Sequence, residues 1–400
     1  MGYIFGQGSF FLAQTLVVKN GGLADIAAVC IPLQVISVVQ WIADSGGIYR
    51  LSQLVQKPAG DGALAGMLQA RFSIGLLIGV GGLGLYPFLS QLYPGHIEPA
   101  TYLLGLIGAV VWSLNATGLC DGLAKTRISA LSISAPWVAA SLVLMLLYPA
   151  VSLGRLQVYV TAAFVVTSAC AVTVQWISVR SANIAAIWRV LEIDRAAYSE
   201  SIRYSLLYIA TYLPGVLYGR LVLLIAGHSL APGELGTLVY VKSAVSAVQQ
   251  VVGFSRRTVI STAMELLASE ARFNLSRIVA CQKVPIALCA AASCAAVAYF
   301  GAFSFLVSNG AILNMAALFT LAAVLWAIVS SFGFYLVISE AVAANSAILW
   351  TTSVFALCVQ WNVPFRNSYL AVLVSELSMY VIQLLLYFVV IKFIGARSSR

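Results

Sequence analysis

The sequence predicts an all-α polytopic membrane protein of about twelve transmembrane helices, and three observations predict it. First, 61% of the 400 residues are apolar and 9% are charged, with a mean hydropathy of +0.97. A soluble domain is closer to half apolar and a quarter charged, and so few charges could not coat a soluble protein of this length. Second, the apolar residues gather in continuous runs of roughly 20, the length a bilayer-crossing helix needs. An outer-membrane barrel would instead show alternating segments of about ten residues. Third, the cations sit between the runs and favour one side. These features exclude a cytosolic enzyme, a disordered chain and a nucleic-acid-binding module, because the net charge of +9 forms no basic face.

The first run, 3–19, ends at Lys19, and the second, 24–44, ends at Asp44-Ser45-Gly46-Gly47. The third and fourth, 72–92 and 100–120, are separated by a Tyr93-Pro94-Gly95 turn. Runs five and six, 128–148 and 157–178, meet at Tyr148-Pro149. After the polar stretch 179–203 come 204–226 and 234–254, divided by Pro232-Gly233. The last four are 284–306, 312–335, 346–363 and 368–391. The N-terminus lacks the basic n-region of a signal peptide and is read as mature sequence.

With both termini placed in the cytoplasm, seventeen of the 22 Lys and Arg fall on the inner side, among them Arg50, Arg71, Lys125, Arg256 and Arg257. Lys19, Arg155 and Arg366 fall outside, and Arg220 and Lys242 lie within spans. The positive-inside rule then sets the orientation. The seven cysteines (30, 120, 170, 281, 289, 294 and 358) lack metal-ligand spacing and read as packing residues.

The polar stretch splits the spans six and six, giving bundles at 1–182 and 204–400 with a linker at 183–203. Halves of even span number face the same way, as in parallel-repeat transporters. An offset of 209 matches Asp25 with Glu234, Ser37 with Ser246, Val39 with Val248 and Gln40 with Gln249. Small residues cluster in the third span at Gly79, Gly81, Gly82 and Gly84, which suits close packing inside a bundle.

The informative residues are Arg220, Lys242 and Glu376, charges inside spans where each costs about 2.5–3.5 kcal/mol on insertion scales. Counting helix rise places all three roughly 10–13 Å below the outer surface. Two readings stand side by side. Glu376 pairs with Arg220 or Lys242 inside the second bundle, or the surplus cations face a cavity and attract an anion. Arg suits forked phosphate contacts and Lys acts as a point charge. Glu376 and Asp44 are then candidates for charge pairing or for a coupling ion. Helical spacing also groups Gln7 and Gln14, Gln40, and Gln249 as polar lining or as interhelical hydrogen bonds. Arg256 and Arg257, like Arg50, sit at the inner mouth.

The run Gly6-Gln7-Gly8-Ser9-Phe10-Phe11-Leu12-Ala13-Gln14-Thr15, followed by Ala43-Asp44-Ser45-Gly46-Gly47 and Tyr49-Arg50, resembles the lipid-linked polysaccharide repeat-unit (O-antigen type) flippases. These belong to the multidrug/oligosaccharidyl-lipid/polysaccharide exporter superfamily. The start of the second half is similar too, with Arg220, then Pro232-Gly233-Glu234-Leu235-Gly236, then Lys242. The resemblance implies two bundles in a V around a cationic cavity in a bacterial inner membrane. It implies as substrate an undecaprenyl-diphosphate-linked oligosaccharide, moved to the periplasmic leaflet by alternating access coupled to H+ or Na+. Arg220 and Lys242, with Lys19 and Arg50, would bind the diphosphate. No other cofactor is expected, and partners would be the bilayer and other polysaccharide assembly proteins. A multidrug or metabolite antiporter would favour free intramembrane carboxylates, and a membrane glycosyltransferase or polymerase a catalytic carboxylate pair on a sizeable loop. The spans here hold two central cations against Glu376, and no sizeable loop or paired-carboxylate motif is present on the water-facing segments.

Overall fold

A computed structural model describes residues 2–20, 22–56, 61–92, 98–180, 194–258, 280, 282–307, 310–338, 341–364 and 368–397. All regular structure among them is helical. The helices are α1 (Gly2–Lys19), α2 (Leu23–Asp44), α3 (Gly47–Gln56), α4 (Asp61–Leu92), α5 (Pro99–Ser113), α6 (Thr117–Gly122) and α7 (Thr126–Leu147). They continue with α8 (Leu153–Arg180), α9 (Arg195–Ser229), α10 (Pro232–Thr258), α11 (Lys283–Val307), α12 (Gly310–Ile338), α13 (Val342–Asn362) and α14 (Tyr369–Arg397).

Nine stretches among the described residues are long and apolar enough to cross a membrane, and the two arms of α9 make a tenth. One of the nine is α5 together with α6, which run as one span across a break. The remaining two expected spans are α1 and α10, which form at full length. They are less apolar because they carry Gln7, Gln14 and Lys19, and Lys242, Gln249 and Gln250. Every one of the twelve expected spans is therefore a helix, and the protein is a multi-pass membrane protein. The extra element is α3, a short helix between the second and third spans.

The chain divides into two compact units, Met1–Leu213 and Pro214–Arg400. The boundary falls inside α9, between its arms Arg195–Thr211 and Leu213–Ser229, which meet at 47°. Pro214 stands at that bend, where a missing N–H removes a helix hydrogen bond. In the first unit α2 packs on α4, α5 and α8, α4 on α5, α5 on α8, and α7 on α8. In the second unit α10 packs on α11, α12 and α14, α11 on α12, α12 on α14, and α13 on α14. The two patterns are the same once α2 is equated with α10 and each later span with its counterpart.

The repeat reaches side chains. Tyr148 at the end of α7 donates its hydroxyl to Asp25 near the start of α2, at 3.0 Å. In the second unit the backbone N–H of Tyr369, at the start of α14, donates to Glu234 near the start of α10, also at 3.0 Å. The Asp25–Glu234 match thus corresponds to one clasp made twice, from the acidic start of the second span to the hairpin of the fifth and sixth. A carboxylate there is favoured by the free N–H groups of the helix start.

Gly79 and Gly82 lie against Val110 and Leu106, which lets α4 approach α5 closely. The end of α2 depends on backbone freedom in another way. Ser45 and Gly46 both take left-handed dihedrals, with φ of 45° and 79°. Their turn lets the Ser45 N–H close onto Trp41 and Ile42 carbonyls. A Cβ on Gly46 would lie 2.6 Å from the Tyr208 ring. Gly46→Ala is expected to destabilise the detergent-solubilised protein by at least about 1–2 kcal/mol, the usual penalty for a left-handed non-glycine. Thermal unfolding of the variant beside wild type measures it.

Candidate functional site

Two sites of buried charge exist among the described residues, one in each unit. In the first, Asp44 is 7% exposed and Arg71 is fully buried. The Arg71 guanidinium donates to the Asp44 carboxylate at 2.8 Å and to the Asp44 carbonyl at 3.2 Å. Its third contact is the Asn115 carbonyl, at 2.8 Å. The Asn115 amide in turn donates to the same Asp44 oxygen at 3.0 Å, and the Ile48 N–H reaches the other oxygen at 3.3 Å. One guanidinium thus neutralises a carboxylate and caps the C-terminal carbonyl ends of two spans, α2 and α5. Both ends carry negative partial charge, so the cation is favoured twice.

The break between α5 and α6 leaves irregular backbone at depth, which is tolerated only where its polar groups are satisfied. The Ala116 N–H donates to Gln175 at 2.7 Å, and the Gln175 amide donates to the Thr117 hydroxyl at 3.0 Å. Trp176 donates to the Leu114 carbonyl at 2.7 Å. Around this hub, Leu51, Leu54, Met67, Leu119 and Val179 form an apolar core. Sequence reasoning counted Arg71 as an inner-loop cation, and that is corrected: α4 begins at Asp61, so Arg71 lies within the helix and not in a loop. A signal was present. The stretch Gly62–Ala70 is apolar except for Gln69, so the third span extends towards its N-terminus past the expected start at 72.

In the second unit the ammonium of Lys242 on α10 donates to the Glu376 carboxylate on α14. Of the two pairings left open by the sequence, the structure shows the one with Lys242. The Glu376 side chain is 3% exposed and that of Lys242 12%. Lys242 also stands over the Phe319 ring of α12, 5.2 Å from its centroid, a cation–π contact. Beside Glu376, the Tyr218 and Ser375 hydroxyls are 2.9 Å apart, and Ser375 donates to the Ala356 carbonyl at 2.7 Å. Tyr218 is therefore the donor to Ser375. Counted from the helix starts at Pro232 and Tyr369, Lys242 and Glu376 lie about 10–15 Å along their helices, well inside the membrane span.

Other expected site residues are dispersed. Arg50, on α3, is held by Glu200 at 3.3 Å and lies 5.1 Å from the Tyr204 ring centroid, both on the first arm of α9. Lys19 is exposed at the last residue of α1. Gln14 and Gln40 both lie inside the first unit. Gln14 is fully buried, with neither amide atom hydrogen-bonded. Gln40 is 6% exposed and lies beside Gly108 of α5. Both are buried in the first unit. Gln249 is half-buried on α10. The backbone places Gln7 on α1, Arg220 on α9, and Arg256 and Arg257 on α10, and their side chains lie outside the described residues.

The fold is one seen in solved membrane transporters. No protein-family model matches the chain, and no curated protein matches it. Solved structures do match. The chain is similar to the lipid II flippase MurJ in an inward closed conformation, with a TM-score of 0.67 at 11% identity, covering 98% of this chain and 86% of that one. It is similar also to the eukaryotic MATE transporter AtDTX14, with a TM-score of 0.59 at 14% identity over 97% and 92% of the two chains. An outward-facing multidrug resistance MATE family transporter of the MOP superfamily gives 0.58 at 13% identity, over 98% and 95%. At these identities the likeness establishes the fold.

Truncating Arg71 leaves Asp44 buried without its cation, which costs about 3–5 kcal/mol when one partner of such a pair is lost. Arg71→Met is expected to reduce the folded yield in the membrane sharply. The double variant Arg71→Met, Asp44→Asn is expected to recover part of it. Size-exclusion profiles and thermal unfolding of the three proteins measure the difference.

Proposed function

We propose that the protein is a flippase that moves a lipid-diphosphate-linked oligosaccharide, of the undecaprenyl-diphosphate type, from the inner to the outer leaflet of a bacterial inner membrane. The observation that carries this reading is the state of the buried carboxylates. Among the described residues the buried Asp and Glu are Asp44 and Glu376, and each is already neutralised by a cation of its own unit. A cationic drug would find no free carboxylate there. Lys242, in contrast, keeps part of its side chain accessible and carries the charge an anionic head group needs.

The likeness to a lipid II flippase over 98% of the chain supports the same reading. The neighbours named above are transporters and flippases, not enzymes. The resemblance at the start of each half supports a polysaccharide repeat unit as the glycan. A multidrug exporter is the second reading, favoured by the MATE neighbours and opposed by the paired carboxylates.

In use, the diphosphate would meet Lys242 and, from α9, Arg220, in a low-dielectric surrounding where a fixed cation counts for more than in water. Amide and hydroxyl side chains such as Gln249 would hydrogen-bond the sugars. Deletion of the gene in its host is expected to leave lipid-linked repeat units on the cytoplasmic side. Complementation with Lys242→Ala is expected to restore at least tenfold less surface polysaccharide than wild type at equal protein abundance, the effect of about 1.4 kcal/mol. Wild-type polysaccharide levels from that variant would overturn the site.

A further inference from the structure

We infer that the first unit carries a sugar-binding shelf at the Asp44 end of α2, built from Trp41, Arg50, Glu200, Tyr204 and Tyr208, which holds hexopyranose residues of a lipid-linked oligosaccharide. This rests on the flippase reading above, whose orientation makes that end the cytoplasmic one, where the glycan would be loaded.

Three elements bring the side chains together. Glu200, Tyr204 and Tyr208 follow one another at spacings of four on the first arm of α9, which places them on one helix face. Trp41 comes from the last turn of α2 and Arg50 from the start of α3. All five residues belong to the first unit. The Tyr204 and Tyr208 rings are stacked, 6.4 Å apart at 24°, and Trp41 continues the row 5.9 Å from Tyr208. Two supports fix the row. Tyr204 packs on the apolar core around Leu51 and Leu119. Tyr208 lies on the Gly46 turn, with ring atoms 2.6–2.9 Å from where a Cβ would stand. The three rings are half-buried, so each is anchored yet keeps surface to offer.

The polar groups of the shelf are unsaturated. Arg50 reaches Glu200 through one guanidinium nitrogen at 3.3 Å and lies 5.1 Å from the Tyr204 ring centroid. Among the described residues, its other guanidinium N–H groups, the second Glu200 oxygen and the Trp41 indole N–H meet no hydrogen-bond partner. The two charged side chains are 31% and 74% exposed, so a ligand can reach them. Arg71 is the opposite case, fully buried on three fixed acceptors.

These groups match the two sides of a sugar. A pyranose ring presents a patch of C–H groups on its face and hydroxyls around its rim. The C–H face stacks on an aromatic ring, while a hydroxyl accepts from a guanidinium and donates to a carboxylate. Such charge-assisted bonds are the stronger kind. From Glu200 to Tyr208 is two helical turns, roughly 11 Å, room for about two sugar rings. Other occupants fit less well. A diphosphate would meet Glu200 together with Arg50, and a neutralised pair offers it little net charge. Arg50, which the resemblance gave to the diphosphate, serves the glycan instead. A cationic aromatic drug would find the Tyr204 ring already taken by the guanidinium. Lys242 then holds the charge of the head group, and the shelf reads its glycan.

The test titrates the full purified chain in detergent, by calorimetry, with farnesyl diphosphate and with farnesyl diphosphate linked to N-acetylglucosamine. The ratio of the two dissociation constants isolates what the sugar adds. Trp41→Leu removes a stacking ring, and Glu200→Ala removes a carboxylate that is exposed. Each is expected to lower the preference for the glycosylated probe about tenfold relative to wild type, the size of a lost ring contact or charge-assisted hydrogen bond. Lys242→Ala is expected to weaken both probes and leave their ratio unchanged. Equal ratios in wild type, Trp41→Leu and Glu200→Ala, with both probes bound, overturn the shelf and leave the Lys242 site standing. Binding of neither probe by wild type overturns the flippase reading, and the shelf with it. Binding of tetraphenylphosphonium that Trp41→Leu abolishes would assign the rings to a cation and also overturn the inference. Should Trp41→Leu fail to fold, Glu200→Ala decides alone, since its side chain lies at the surface.

Discussion

A charge taken out of water must be neutralised where it lies, and this constraint organises both halves of the protein. In the first unit Arg71 satisfies it with three acceptors, the Asp44 carbonyl at the end of α2, the Asn115 carbonyl in the break after α5 and the side chain of Asp44. In the second, Lys242 and Glu376 satisfy it with a pair between α10 and α14. The two solutions differ in kind. Arg71 is fully buried, and its planar fork is held by three fixed acceptors, so it fastens three spans at one end of the bundle. Lys242 is a point charge on a flexible stem, partly accessible and resting on an aromatic face. The first arrangement builds, and the second can change partner.

The repeat makes the contrast sharper. Corresponding spans pack on one another in the same order in both units, and the acidic start of the second span is clasped in both. The buried charges do not follow the repeat. At the offset that equates Asp25 with Glu234, Lys242 corresponds to Leu33, and Asp44 to Gly253. A shared scaffold has thus received a locking charge set in one copy and an exchangeable one in the other.

Twelve spans were legible because each needs a long apolar run, and Gly, Pro and charged residues mark where each one ends. The pairing of Glu376 was legible as a choice between two cations at one depth, since depth follows from helix rise. What could not be read was azimuth. Helical periodicity groups Gln14 or Gln40 on a face without saying whether that face meets a neighbour or open space, and both proved to be packed. Arg71 was misread for a related reason. A cation near the edge of an apolar run looks like a topology signal unless the helix is known to start ten residues before it. The break at Leu114–Ala116 has no composition signal either, because the groups that satisfy it, Gln175, Trp176 and Arg71, come from distant parts of the chain.

The central claim is that the ammonium of Lys242 serves translocation of a lipid diphosphate. Reconstitution of the purified protein into liposomes, with a fluorescent short-chain prenyl-diphosphate sugar and a quencher added from outside, reads the leaflet that the lipid occupies. The account predicts that wild type moves the diphosphate lipid between leaflets, that Lys242→Ala does so at least tenfold more slowly, about 1.4 kcal/mol in the barrier, and that a neutral prenyl-sugar of equal length is not moved. Equal rates for wild type and Lys242→Ala, or equal movement of the neutral lipid, would contradict it.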